Sequence, residues 1–178
     1  MRLVRRRIYK IEKGVDSMRE IRLEPFDEAD IEELTRIMER AFDVDARMHL
    51  GKKGGPPGYN TGEFLRRYGF DKRSTQLKIT FNGGMVGAVI LWIDKQTNRN
   101  FLGNIFIDPD FQERGIGGEV WKKIESMFPD TEVWRTETPI FSHRNHSFYV
   151  NKCGFHIIKI ENSRNREEGS YILEKKMK

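Results

Sequence analysis

The stretch Asn104-Ile105-Phe106-Ile107-Asp108-Pro109-Asp110-Phe111-Gln112-Glu113-Arg114-Gly115-Ile116-Gly117-Gly118 restricts the fold of this chain more than any other. An apolar run, a proline turn and a glycine-rich opening follow one another, so a strand must hand over directly to a helix. The first turn of a helix presents N–H groups that have no partner inside the helix, and the positive end of its dipole favours an anion. Gly115, Gly117 and Gly118 carry no Cβ, so a bulky diphosphate could approach those donors closely. A tight strand-to-helix turn that merely uses glycine accounts for the same letters, and glycine alone does not separate the two.

Two common phosphate loops fit poorly. A P-loop needs Gly-Lys-Ser/Thr, and Gly118 is followed by Glu119; a dinucleotide fingerprint needs a small residue where Val120 stands. The stretch resembles instead motif A of the GNAT acetyltransferase superfamily, Gln/Arg-x-x-Gly-x-Gly/Ala, through Gln112, Gly115 and Gly117. Ile105, Ile107, Pro109 and Phe111 also stand where that family has its apolar strand, proline turn and aromatic.

With 178 residues, 37% of them hydrophobic, the chain is long enough for one domain with a proper core. No apolar run approaches the roughly 20 residues of a membrane span. The formal charge of +5 is carried largely by residues 1–17, where Arg2, Arg5, Arg6, Arg7, Lys10 and Lys13 face only Glu12 and Asp16. The rest is close to neutral, so a basic N-terminal extension, 1–17, is expected ahead of one domain, 18–178, which the resemblance implies is an acetyltransferase domain. A nucleic-acid-binding body is not indicated. The extension lacks the apolar core of a secretory signal. The single Cys153 rules out an intrachain disulfide framework and fits a reducing compartment, so a cytoplasmic location is expected. His143 and His146 could share a helix face, but no third ligand accompanies them at a recognisable spacing, and no metal is expected.

In chain order, Ile21, Leu23 and Pro25 alternate as a strand does. Asp27 can cap a helix whose core face is Ile31, Leu34, Ile37, Met38 and Ala41. From Asp43 to Asn60 periodicity is lost among glycines and prolines, which predicts a long loop ending in Tyr59, and Phe64, Leu65 and Tyr68 predict a short second helix. Asn82-Gly83-Gly84 signals a hairpin between Gln76–Phe81 and Met85–Ile93. The unalternating run Val86 to Ile93 reads as a strand buried on both faces. Phe101–Ile107 then leads to the helix opening at Gly115 and stopping at Pro129. Glu132–Thr136 forms a parallel partner strand broken by Thr138-Pro139. Ser142 can cap the next helix, and Gly154 suits its left-handed exit.

That last helix holds a second match: Asn145, Phe148, Tyr149, Gly154 and Phe155 resemble GNAT motif B. The resemblance implies an α/β fold, a twisted mixed sheet of about six or seven strands flanked by about four helices, with strands four and five splayed around the coenzyme. It implies acetyl-CoA as co-substrate. The backbone of Ile105, Phe106 and Ile107 would pair with the pantetheine, and Gln112 with the amides of Glu113, Arg114, Gly115, Ile116, Gly117 and Gly118 would hold the diphosphate. A side chain at Gly117 would then obstruct the phosphate. Asn145 and Phe148 would complete the coenzyme contacts, and Tyr59 would touch the acceptor, a small-molecule or peptide amine.

Direct transfer to an amine needs an acid for the departing thiolate. Tyr149 suits that role, because a phenol of pKa about 10 stays protonated near neutrality. Glu137 is the candidate base, drawing a proton through water; His143 and Asp94 are other options. Cys153 as a nucleophile beside a histidine explains less, since nothing predicts a lowered thiol pKa. The alternative to an N-acetyltransferase is a regulatory or sensor domain that binds acyl-CoA without turning it over. A homodimer is compatible with either.

Overall fold

A computed structural model of the chain describes residues 19–177. The basic extension and its boundary at Met18 lie outside the described residues.

Alternating apolar positions form strand β1, Ile21–Pro25, which pairs antiparallel with β2, Ser74–Phe81. The chain then turns through Asn82 and Gly83 at φ of 50° and 85°, which fits the two-residue hairpin expected from an Asn-Gly pair. Strand β3, Gly84–Trp92, follows, and β4, Arg99–Ile107, completes an antiparallel meander. Strand β5, Val133–Pro139, lies parallel to β4 and is followed in space by β7, Ser170–Lys176, and β6, His156–Glu161. Among the described residues the sheet has seven strands in the order β1-β2-β3-β4-β5-β7-β6.

Helix α1, Ile31–Leu50, covers one face through Leu34, Ile37, Met38 and Ala41, packed with Ala88, Ile90 and Phe106 of the sheet. Helix α2, Ile116–Met127, covers the other through Val120, Trp121 and Ile124, packed with Val89, Leu91, Leu102 and Trp134. Strand β3 is therefore buried on both faces, which accounts for its unbroken apolar run. Helix α3, His143–His146, continues as a π-helical segment, Ser147–Lys152, on the α2 side.

Three local expectations need correction. Helix α1 does not end near Asp43 but runs to Leu50, where Gly51 closes it in the left-handed region at φ 71°. Its last turns lose apolar spacing because Asp43, Asp45 and His49 are polar, yet Asp43 is buried against Tyr59 and Lys53. The expected short second helix is present, wound as a π-helix over Leu65–Gly69. Strand β5 does not break at Thr138 but continues through Pro139, paired with Ser170. The lost proline N–H is tolerated there because β5 has already parted from β4. Among the described residues Ser142 makes no capping hydrogen bond and its hydroxyl is buried without a partner, whereas Asp27 caps as expected, in a box that Asp30 reciprocates.

Candidate active site

The two central strands separate part-way along their length. β4 and β5 pair from Arg99–Val133 to Leu102–Thr136 and no further, although β4 runs on to Ile107 and β5 to Pro139. A bulge marks the point of departure. Ile90 pairs with Asn104 and Leu91 with Leu102, which leaves Gly103 as the extra residue of β4. Only glycine fits, because a Cβ there would stand 1.8 Å from the Trp92 ring. Past the bulge, the β5-facing polar groups of β4 have no strand partner on that side among the described residues.

At the end of β4 the chain makes a 3-10 turn, Pro109–Phe111, capped by Asp108. Arg40 of α1 clamps this turn, bonding Asp108 and Asp110 at 2.8 Å each. Gly115 then adopts φ 80° as the N-cap of α2. Among the described residues, the N–H groups of Glu113 through Gly118 make no hydrogen bond to backbone or side chain. A Cβ at Gly115 or Gly118 would meet open space, while one at Gly117 would meet the Phe148 ring at 2.9 Å. Gly117 thus matters first for packing α2 against the α3 segment.

The splay and the α2 opening share one cleft of about 370 Å³. Ile105, Phe106, Ile107, Gln112, Glu113, Gly115, Ile116, Gly117, Asn145, Phe148 and Tyr149, all expected from sequence, line it. Gln112 donates from Nε2 to the Ile107 carbonyl at 2.7 Å and accepts from Arg144, which ties the glycine loop to both β4 and α3. The π-helical winding of Ser147–Lys152 carries Tyr149 into the α2-side core, 6% exposed, against Phe148 and Phe155. Burial pushes its phenol well above the ordinary tyrosine range. Burial likewise pushes the Cys153 thiol up to about 12, so it remains a thiol near neutrality.

Other expected residues lie elsewhere. Arg114 stacks over Phe111 at 5.2 Å, with its carbonyl taken by Arg19, and Gly118 is outside the cleft lining. Tyr59 gives its hydroxyl to Asp43 at 2.9 Å and anchors the loop to α1 rather than lining the cleft. Glu137 accepts a hydrogen bond from Ser170 and also lies outside the lining. Asp94 caps the turn between β3 and β4, bonded to Gln96 and Thr97, at the opposite end of β4 from the cleft. His143 is exposed and touches His49. Sequence reasoning missed Phe42, Asp45, Arg144 and Lys152, which do line the cleft. The i, i+4 spacing of Ala41 and Asp45 was the available signal on α1, and Arg144 is the residue immediately before Asn145. Among the described residues, no group of three or more His, Cys, Asp or Glu is placed to hold a metal ion, and no helix is long and apolar enough to cross a membrane.

A family model described as the acetyltransferase (GNAT) family matches residues 16–155, a span that includes the meander, the glycine loop and Tyr149. The chain belongs to the GNAT family. Its sheet shows the splayed central strands expected of a GNAT fold. Among relatives, the uncharacterized protein YrkN of Bacillus subtilis (strain 168) is 47% identical over 81 residues, which make up 46% of this GNAT chain and 44% of that protein. The match thus spans less than half the length of that relative. The PaiA N-acetyltransferase of Thermoplasma acidophilum, solved with coenzyme A, superposes with a TM-score of 0.71 at 16% identity, covering 89% of this chain and 99% of that one. The spermidine N-acetyltransferase of Vibrio cholerae, solved with CoA and spermine, superposes with a TM-score of 0.64 at 12% identity, covering 88% and 95%. At these identities the two structures establish a shared fold.

Proposed function

We propose that the chain is an acyl-CoA-dependent N-acetyltransferase that moves an acetyl group directly from acetyl-CoA to a primary amine, through a tetrahedral intermediate. The observation that carries this reading is the termination of β4–β5 pairing at Leu102–Thr136 beside the unpartnered amides at the start of α2. An extended pantetheine can add to β4 where β5 has withdrawn, and the diphosphate can take the amides of Glu113 to Gly118. Ile105, Phe106, Ile107, Phe148 and Asn145 would flank the arm, and Gln112 and Arg144 would brace the loop. The coenzyme A bound to the Thermoplasma acidophilum neighbour supports the donor, and the spermine bound to the Vibrio cholerae neighbour supports an amine acceptor.

In this reading the amine nitrogen attacks the thioester carbonyl, the C–S bond breaks, and Tyr149 gives its proton to the departing sulfur. The nitrogen loses its surplus proton to solvent, from which the phenol is restored. The burial that keeps Tyr149 protonated also makes it a weaker acid in the resting site. A thiolate leaving inside the same apolar cleft is correspondingly more basic, so the transfer remains matched. Residues 18–178 as one catalytic domain belong to the same proposal. So do a cytoplasmic location and assembly, if any, as a homodimer.

Tyr149→Phe tests the reading. Acetyl-CoA affinity measured by calorimetry stays unchanged, and turnover at saturating substrates falls roughly 10²-fold. An unchanged rate where chemistry limits turnover contradicts the role given to Tyr149.

A further inference from the structure

Helix α1 bridges the mouth of the splay. Its Arg40 is fixed to Asp108 and Asp110 just beyond the end of β4. About two and a half turns later, His49 meets the ring of His143, at the start of α3 after β5, with centroids 5.4 Å apart. Between these two anchors the helix turns Ala41, Phe42 and Asp45 into the cleft. Tyr149 packs on the α2 side of the sheet and α1 on the other, so the α1 wall faces the cleft from the side opposite the proposed acid.

Asp45 is the acid of that wall. Its side chain is only 20% exposed, whereas Glu113, the other acid of the lining, is 88% exposed at the glycine loop beside Arg144. His49, 7% exposed at its side chain, holds Asp45 in place. The His49 Nδ1 lies 2.9 Å from the Asp45 backbone oxygen and 3.3 Å from its Oδ1. A carbonyl can only accept, so Nδ1 carries the hydrogen and faces the carboxylate as a donor. The other carboxylate oxygen, Oδ2, has no hydrogen-bond partner among the described residues. The basic residues of the lining, Arg144 and Lys152, both come from the α3 segment, so the cleft is polarised, cationic on the α3 side and anionic at α1.

We infer that Asp45 is a specificity-determining residue that binds a second cationic group on the acceptor, which makes the acceptor a diamine or polyamine, and that His49 is its positioning residue. This rests on the acetyltransferase reading for the reaction, but not for the binding. The reactive nitrogen must be neutral to attack, so the charge that Asp45 recognises is a remote ammonium of the same molecule. A partly buried carboxylate with a free oxygen gives a charge-assisted hydrogen bond that a monoamine bound with its neutral nitrogen at the thioester cannot also make.

The probes are 1,4-diaminobutane and butylamine, titrated into the wild-type chain, Asp45→Asn and His49→Gln, each saturated with CoA, with turnover measured separately. Wild type binds diaminobutane at least about tenfold more tightly than butylamine, and Asp45→Asn abolishes that difference while leaving butylamine and CoA affinities unchanged. His49→Gln raises the KM for diaminobutane without changing kcat. Equal affinity of wild type for the two amines overturns the inference even if Asp45→Asn does not fold, as does a diamine preference that survives Asp45→Asn. Diamine binding through Asp45 without any acetylation would leave the inference standing and remove the acetyltransferase reading; acetylation indifferent to the second charge would do the reverse.

Discussion

Tyr149 and Cys153 lie one helical turn apart on the α2 side of the sheet, and burial raises both groups above their ordinary values. For each, the unfolded chain releases its proton at lower pH than the folded chain does. Stability is therefore full below the unfolded pKa and is lost as pH rises towards the folded one. For Cys153 that window runs from 9.0 to about 12. Cys153→Ala should lessen the alkaline loss of stability across this window, by up to about 1.4 kcal/mol per pH unit, the one-proton slope. Urea denaturation at stepped pH checks it, and an unaltered slope contradicts the burial assigned to the thiol. Tyr149 was legible in the sequence because an aromatic pair followed by Gly-Phe is a local pattern. Asp45 was not, because its role depends on α1 crossing the splay, a long-range fact that no neighbouring letters encode.

Strand β4 is the element on which the site depends. Its bulge against β3 at Gly103 lies where the pairing with β5 stops, and its far end feeds the turn that Arg40 clamps. Gly103→Ala would drive a methyl into the Trp92 ring, 1.8 Å away, and should cost about 1–3 kcal/mol of stability, as overpacking does. It should also weaken acetyl-CoA binding, because relieving the clash shifts the strand that frames the cleft. Thermal melting with parallel calorimetry reads both, and wild-type values for both would show that the bulge does not set the splay. The strands and α2 were readable from periodicity and turn residues. The end of α1 was not, since its final turns place polar side chains towards a site rather than apolar ones towards a core. Nor was the extent of β5, where proline is harmless only because its β4 edge is already free.

At the scale of the molecule, each face of the sheet carries its own helix, and the two helices meet the splay from opposite sides. α2 brings amides without a partner among the described residues, the π-helical segment after α3 brings Tyr149, and α1 closes the gap with Phe42 and Asp45. The family and the coenzyme site were legible because glycine spacing and the Phe-Tyr segment are short motifs whose backbone chemistry is local. The acceptor side was not, because it is assembled from α1 and a loop that share no fixed pattern. Glu137 illustrates the same limit, since its place on β5 could be read but its bond to Ser170 of β7 could not. The measurement that tests the central claim most directly is CoA release from acetyl-CoA by the wild-type chain, with and without added primary amines. Amine-dependent release, with product carrying one acetyl group on nitrogen, is the predicted result. Saturable acetyl-CoA binding with no release above the amine-free rate, across mono-, di- and polyamines, amino acids, aminoglycosides and peptide N-termini, would contradict it and leave a domain that only senses the coenzyme.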